Sequence, residues 1–458
     1  YRSVRRVSNN LDSISVSLTP LEVQEFPDID KSVDISDLGA DYQVRSSIRK
    51  SGNINYAIIE FFPIRNKSGK VERLNRVELT YEYFESSQRG SGRDNEWKES
   101  SVLSTGEWYE IRTGEDAIYK LTYSFLQSCG FNLAGLPSSS IRLFGTKSGE
   151  LSHSNDAWRP DDLTELSIYI DDQGDGTFDP GDNVLFHGED QLTWRVQNER
   201  FAHSKNNYSD SSSYFLTING GTGSPKRISK YVTQGDRTRM SSTYDFYDLY
   251  EVNSTNLIKS GRTWYGEQLG LVPSYDFGFS VPDIDRGSNA FVKARFALRS
   301  VSISGNGMTL SLPNQGGLSA TETVGAVSSS YASQYAISNI VSLDFKPTGS
   351  DFLTMVSIEN SKNPNAQGWL DYVELNARRE LSFIGPSMQF RDSKSSGLNN
   401  RTEFQVQSTE ADLHIWDITA INDVVEMTIS GSVSNGFKFL AETDSLKEFV
   451  IFTESGIK

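Results

Sequence analysis

The segment Asp171–Asp182 (DDQGDGTFDPGD) holds the densest set of side chains able to do chemistry in this 458-residue chain. Read as a calcium loop of about twelve residues, it places Asp171, Asp175, Asp179 and Asp182 at the first, fifth, ninth and last positions, with Gly176 at the turn. Ca²⁺ takes roughly six to eight hard oxygens, and carboxylates on a glycine-bent loop supply them. The pattern departs where Gln173 replaces an acid and where Asp182, shorter than glutamate, closes the loop. The alternative is a polar hairpin turn between strands Glu165–Ile170 and Asn183–His187, since Asp-Gly and Pro-Gly dipeptides form such turns without metal. Calcium is the only cofactor signalled.

Soft and imidazole ligands are scarce: Cys129, His153, His187, His203 and His414 are the whole supply. None sits beside another with the spacing of a zinc site or of a thiol nucleophile and its base. Cys129 reads as a small apolar packing residue on a helix, with no cationic neighbour in sequence to lower its pKa. His187 and His203 read as hydrogen-bonding loop residues. Ser260–Glu267 (SGRTWYGE) is the other dense segment. Arg262 and Glu267 are expected to pair across a turn covered by Trp264 and Tyr265. The group serves either as an aromatic-plus-arginine binding spot or as a brace between neighbouring domains, and the brace is the reading adopted.

The formal net charge of -16 argues against a nucleic-acid partner, which needs a basic face. No run approaches the ~18 apolar residues of a membrane-spanning helix. A single cysteine excludes an internal disulfide framework, so buried apolar surface must hold the fold. The chain opens on Tyr1 and closes just after a strand-like run, Glu448–Thr453, so it reads as a piece of a longer protein.

Two-residue alternation dominates, as in Tyr56–Pro63 (YAIIEFFP) and Arg76–Phe84 (RVELTYEYF). The convincing helix is Thr122–Cys129, with Thr122 as N-cap and Gly130 as stop. Further strands are expected at Ile141–Phe144, Ser213–Ile218, Phe291–Leu298, Met308–Leu312, Ile340–Phe345, Phe352–Glu359, Glu403–Gln407, Leu413–Asp417, Val424–Ser430 and Glu448–Phe452. Ser86–Arg93 and Thr222–Lys230 read as linkers. The fold class is therefore mainly β: several β-sandwich or immunoglobulin-like domains in tandem, with one small α+β domain. The expected divisions are a β domain over 1–100, an α+β domain with the Asp-rich loop over 101–228, a β-sandwich over 229–380 and a small immunoglobulin-like domain over 381–458.

Thr105–Leu126 (TGEWYEIRTGEDAIYKLTYSFL), Thr164–Phe186 (TELSIYIDDQGDGTFDPGDNVLF), Tyr250–Glu267 (YEVNSTNLIKSGRTWYGE) and Gly368–Leu381 (GWLDYVELNARREL), followed by His414–Ile418 and Phe449–Phe452, carry a resemblance. Together they resemble the N-terminal, non-peptidase region of the cell-surface sortases of the type IX secretion system of Bacteroidota, relatives of the gingipain cysteine peptidases. Residues 1–100 resemble the β-rich pro-region of gingipain-type peptidases. The resemblance implies a location on the outer face of the outer membrane and a caspase-like peptidase domain following this region. It also implies cargo stripped of its C-terminal sorting domain through an acyl-thioester, then attached to anionic lipopolysaccharide, with the outer-membrane β-barrel PorV as partner. No catalytic residue falls within this chain on that reading, so it would be a non-catalytic scaffold. Two other expectations stand beside it: a glycan-binding or adhesion array of β modules, and a pro-segment in residues 1–100 that occupies the peptidase cleft.

Overall fold

The computed structural model describes residues 2–7, 11–26, 41–42, 44–51, 54–67, 70–85, 98–153, 159–197, 200–259, 261, 263–301, 307–359 and 365–458. The chain divides into two compact units, Tyr1–Glu99 and Ser100–Lys458. The expected linker Ser86–Arg93 lies outside the described residues.

The first unit is built from long antiparallel pairs. Ile54–Phe61 runs between Arg2–Val7 and Val44–Ser51, and Lys70–Glu85 runs between Leu11–Phe26 and Ile64–Lys67. Ala57, Ile59, Phe61, Val71 and Leu74 are buried. Alternation of this kind puts one face of each strand into a core and leaves the other to solvent.

The second unit is organised by one ten-stranded sheet, along which Thr243–Glu251 pairs antiparallel with Gln367–Glu380 and, at one residue, with Ser387–Arg391. Beyond Gln367–Glu380 lie Ala290–Arg299 and then Ile337–Phe345. On the other side Ser387–Arg391 leads to Glu448–Phe452 and His414–Asp417. A four-stranded sheet of Ser274–Ser280, Asp351–Glu359, Gly307–Leu312 and Leu318–Thr323 covers one half, enclosing Phe277, Val292, Phe296, Leu310, Val356 and Val373. A second, containing Arg401–Val406 and Gly436–Glu442, covers the other half over Phe390, Phe404, Ile415, Phe439 and Phe449. The two sandwiches thus share a sheet, and the covering sheet of the second also takes in Arg239–Ser241, paired parallel with Arg401–Val406. Leu381 N–H donates to Ser242 O and Gln407 N–H to Leu381 O, sewing the crossing at residue 381 into both.

Within this unit the helix and its neighbouring strands form a module with its own core of Leu126, Leu143, Ile168, Phe178, Phe186, Tyr214 and Leu216. Its helix, Tyr123–Ser128, starts where Thr122 Oγ1 accepts from Phe125 N at 3.1 Å and stops at Gly130, whose φ is 99°. Thr122 satisfies an orphan N–H, and glycine takes the left-handed conformation at no steric cost. Cys129 corrects an expectation: it is exposed. The helix lasts only six residues and Cys129 is already its C-cap, so Leu126 alone faces the core. No helix among the described residues is long and apolar enough to cross a membrane.

Candidate functional site

The module sits on the outer face of the shared sheet, and the seam between them holds a cluster of buried polar side chains, among them His187, Glu189 and Glu374. On one flank Ile118 packs with Trp416, Val450 and Phe452, which point away from the sandwich core. Lys458 N donates to Ile118 O at 2.9 Å and Lys120 N to Lys458 O at 2.7 Å, so the last residues lie beside strand Ala117–Thr122. On the other flank a hairpin, Leu192–Gln197 with Arg200–Lys205, lies over Thr243–Glu251 and Gln367–Glu380. Strand alternation explains what it meets. In Thr243–Glu251 the even positions Tyr244, Phe246 and Tyr250 pack into the cores, which turns Asp245, Tyr247 and Glu251 outward.

The Asn376 amide takes a strand's place beside the hairpin: Phe201 N donates to its Oδ1 at 2.7 Å, and its Nδ2 donates to Phe201 O at 2.9 Å. His203 N donates to Glu374 Oε1 at 3.1 Å, its ring contacts the same oxygen, and Nε2 lies 3.5 Å from Glu251 Oε2. Lys293 Nζ reaches Glu374 Oε2 at 2.6 Å. Burial pushes the Glu374 carboxyl up, but the hydrogen bonds from His203 and Lys293 outweigh it and the net shift is downward. Arg391 pairs with Glu448 and donates to Trp194 O. The Trp194 and Phe201 rings stand 4.4 and 4.7 Å from that of Tyr247.

Between the flanks lies a cavity of about 240 Å³ lined by Asp116, His187, Glu189, Tyr247, Arg391 and Glu448 among others. Asp116 is solvent-exposed and lies at the rim of this cavity. Desolvation there pushes its carboxyl up to about 7; the hydrogen bond from Asp190 N opposes this, and Glu448, Asp190 and Glu189 add like-charge repulsion. Burial pushes His187 down to about 4, so its ring is neutral at neutral pH. His203 lies in a strand, Arg200–Lys205, not in a loop as expected, while His187 lies near the end of Asn183–Gly188, where a strand was expected. Asp116 and Glu448 were not singled out in the sequence because nothing in their neighbourhoods marks them. The hairpin did leave a signal: two six-residue runs separated by two residues, without the Asn-Gly or Asp-Gly that advertises a tight turn.

The Asp-rich loop is a hydrogen-bonded turn anchored by Phe178, which is fully buried in the module core. Asp182 is 2% exposed. Its Oδ2 accepts from Asp179 N at 2.7 Å and its Oδ1 from Gln173 Nε2 at 3.2 Å. Asp175 Oδ1 accepts from Thr177 N at 2.8 Å, and Asp171 is exposed at the end of strand Tyr169–Asp171. The four carboxylates do not converge: among the described residues no three His, Cys, Asp or Glu side chains gather to hold a metal ion. This donor set does not fit calcium.

In the other predicted group, Arg262 lies outside the described residues. Tyr265 is 6% exposed against Ala297 and Trp369, and its hydroxyl is 3.0 Å from Ser338 Oγ. Glu267 accepts from the Tyr250 hydroxyl, and its backbone with that of Gly266 bonds both ways to Leu370. Trp264 is 41% exposed and donates only to Gly261 O among the described residues. Tyr265 and Glu267 therefore brace a loop onto a strand of their own sandwich rather than bridging two domains.

No protein-family model matches the chain, and no curated protein matches it. A crystal structure of dimeric latent PorU from Porphyromonas gingivalis superposes with a TM-score of 0.64 at 20% identity, covering 78% of this chain and 33% of that one. The fold is PorU-like. The chain spans about a third of that protein's length. A structure of infectious bursal disease virus Gx strain, at 8% identity and a TM-score of 0.14, carries no argument.

Proposed function

We propose that the chain is the non-catalytic scaffold of a type IX secretion sortase, held at the cell surface on the outer face of the outer membrane. The PorU-like fold over 78% of the chain is the observation that carries this reading. The architecture supports it: two sandwiches fused through one sheet, with a third module clamped on, make a body suited to hold other parts in fixed positions. The potential nucleophile Cys129 is the exposed cap of a six-residue helix. In this proposal the removal of the C-terminal sorting domain from cargo, and its transfer to anionic lipopolysaccharide, belong to a peptidase domain carried elsewhere in the parent protein. The scaffold would dock that domain to the PorV barrel. The exposed side chains Trp264, Leu271 and Val272 offer apolar contact on such a surface.

The test is capture of purified PorV by the full 458-residue chain in detergent. Retention that weakens in Trp264→Ala and Leu271→Asp chains is the expected result. Failure to retain PorV, together with saturable binding on a glycan array, would replace the scaffold by the adhesion reading.

A further inference from the structure

We infer that the hairpin Leu192–Gln197/Arg200–Lys205 is a strap: a unit that lifts off the shared sheet while the rest of the module stays in place. Four observations carry this. First, its two strands form a separate two-stranded sheet with no third strand, and an isolated hairpin has little stability of its own. Second, among its described residues only Phe201 is buried; the others are half-buried or exposed. What holds it is a short set of contacts: the Trp194 and Phe201 rings on Tyr247, Asn376 on the Phe201 backbone, Glu374 on His203, and Arg391 on Trp194 O. The backbone hydrogen bonds to Asn376 and Arg391 can be exchanged for water, and the remaining hold is confined to a few side chains rather than a continuous apolar core.

Third, there is empty space on both sides of its stem. Leu192, Trp194 and Tyr247 line the 240 Å³ cavity and also a second one of about 490 Å³, whose wall includes Asp190, Asp248 and Glu251. The first hairpin strand is the partition between them. Fourth, the stem is anchored where a hinge is needed. Glu189 N donates to the Tyr214 hydroxyl at 2.7 Å, Asp190 N to Asp116 Oδ1 at 2.8 Å, Gln191 Nε2 to Ser212 Oγ at 2.8 Å, and Asn206 N to Gln191 O at 3.3 Å. A base fixed at Glu189–Gln191 and Asn206 with a weakly held span beyond it hinges at residues 191 and 206. Lifting merges the two cavities into one trench, with the Tyr247 and Tyr372 rings uncovered on its floor.

Residue-resolved native-state hydrogen exchange on the full chain tests this. The strap predicts that the slow amides of Leu192–Gln197 and Arg200–Lys205 exchange together, at least about a hundredfold faster than those of Ala290–Arg299 beneath. Asn376→Ala should speed the hairpin amides on the order of tenfold further while leaving Ala117–Thr122 unchanged. Hairpin amides that exchange only with the underlying sheet, at the same rate and with the same denaturant dependence, would overturn the strap; this outcome is decided on the native chain, whatever the variant does.

Discussion

Asp116, at the rim of the seam cavity, shows how one carboxylate couples this fold to pH. Its folded-state pKa, about 7, lies above the unfolded value near 4, so ionising it opposes folding. Below pH ~4 it is protonated in both states and costs nothing; through the interval up to about 7 the penalty grows, and above that it is complete. Asn at this position keeps an acceptor for Asp190 N and removes the charge. Asp116→Asn is therefore expected to raise the melting temperature at pH 8 by a few degrees and to lose that gain toward pH 4. His187 works in the opposite direction. Its pKa is depressed to about 4, so the stability it contributes is present above the unfolded value near 6.5 and is lost as pH falls through 4. Glu374, also shifted downward, likewise contributes above its unfolded value and fades in acid. The Asp-rich loop gives a sharper contrast. Asp182→Ala strands the Asp179 N–H and the Gln173 amide and should cost about 1–3 kcal/mol in urea unfolding. EGTA should leave the melting curve of the native chain where it is, because the carboxylates already serve the turn; a fall in melting temperature with EGTA would restore calcium.

At the level of elements, much was legible because alternation is a strong signal. Glu448–Phe452 runs over the expected residues, and Phe291–Leu298 lies within Ala290–Arg299. The helix was readable from its two punctuating residues, Thr122 and Gly130. The expected strand Glu165–Ile170 instead divides into Thr164–Leu166 and Tyr169–Asp171, which pair in different sheets. Periodicity reports which face is buried and not which neighbour buries it. For the same reason the shared sheet was invisible: Thr243–Glu251 alternates as any strand does, and only pairing with both Gln367–Glu380 and Ser387–Arg391 makes it a junction. The seam escaped notice because its partners lie far apart in sequence, His203 from Glu374 and Arg391 from Trp194. The brace loop can be tested at this scale. Tyr265→Phe removes the hydroxyl beside Ser338 but keeps the ring against Trp369, so a loss of about 1 kcal/mol is expected in urea unfolding. Tyr265→Ala, which also empties that packing, should cost about 3–5 kcal/mol.

For the whole molecule, the central claim is that Ser100–Lys458 is one body. The sandwiches share a sheet, Ile228 N donates to Ile168 O at 2.9 Å, and Lys230–Tyr231 adds a parallel pair to Val425–Met427. The final residues close back onto Ala117–Thr122. Three cores joined in this way should lose their structure together. Methyl NMR through a urea titration reads this directly at Leu143 in the module, Leu310 in the first sandwich and Ile451 in the second. The account predicts a single midpoint for all three reporters. Staggered midpoints, with Leu143 released while Leu310 and Ile451 remain native, would show a module merely resting on the sheet and would contradict it.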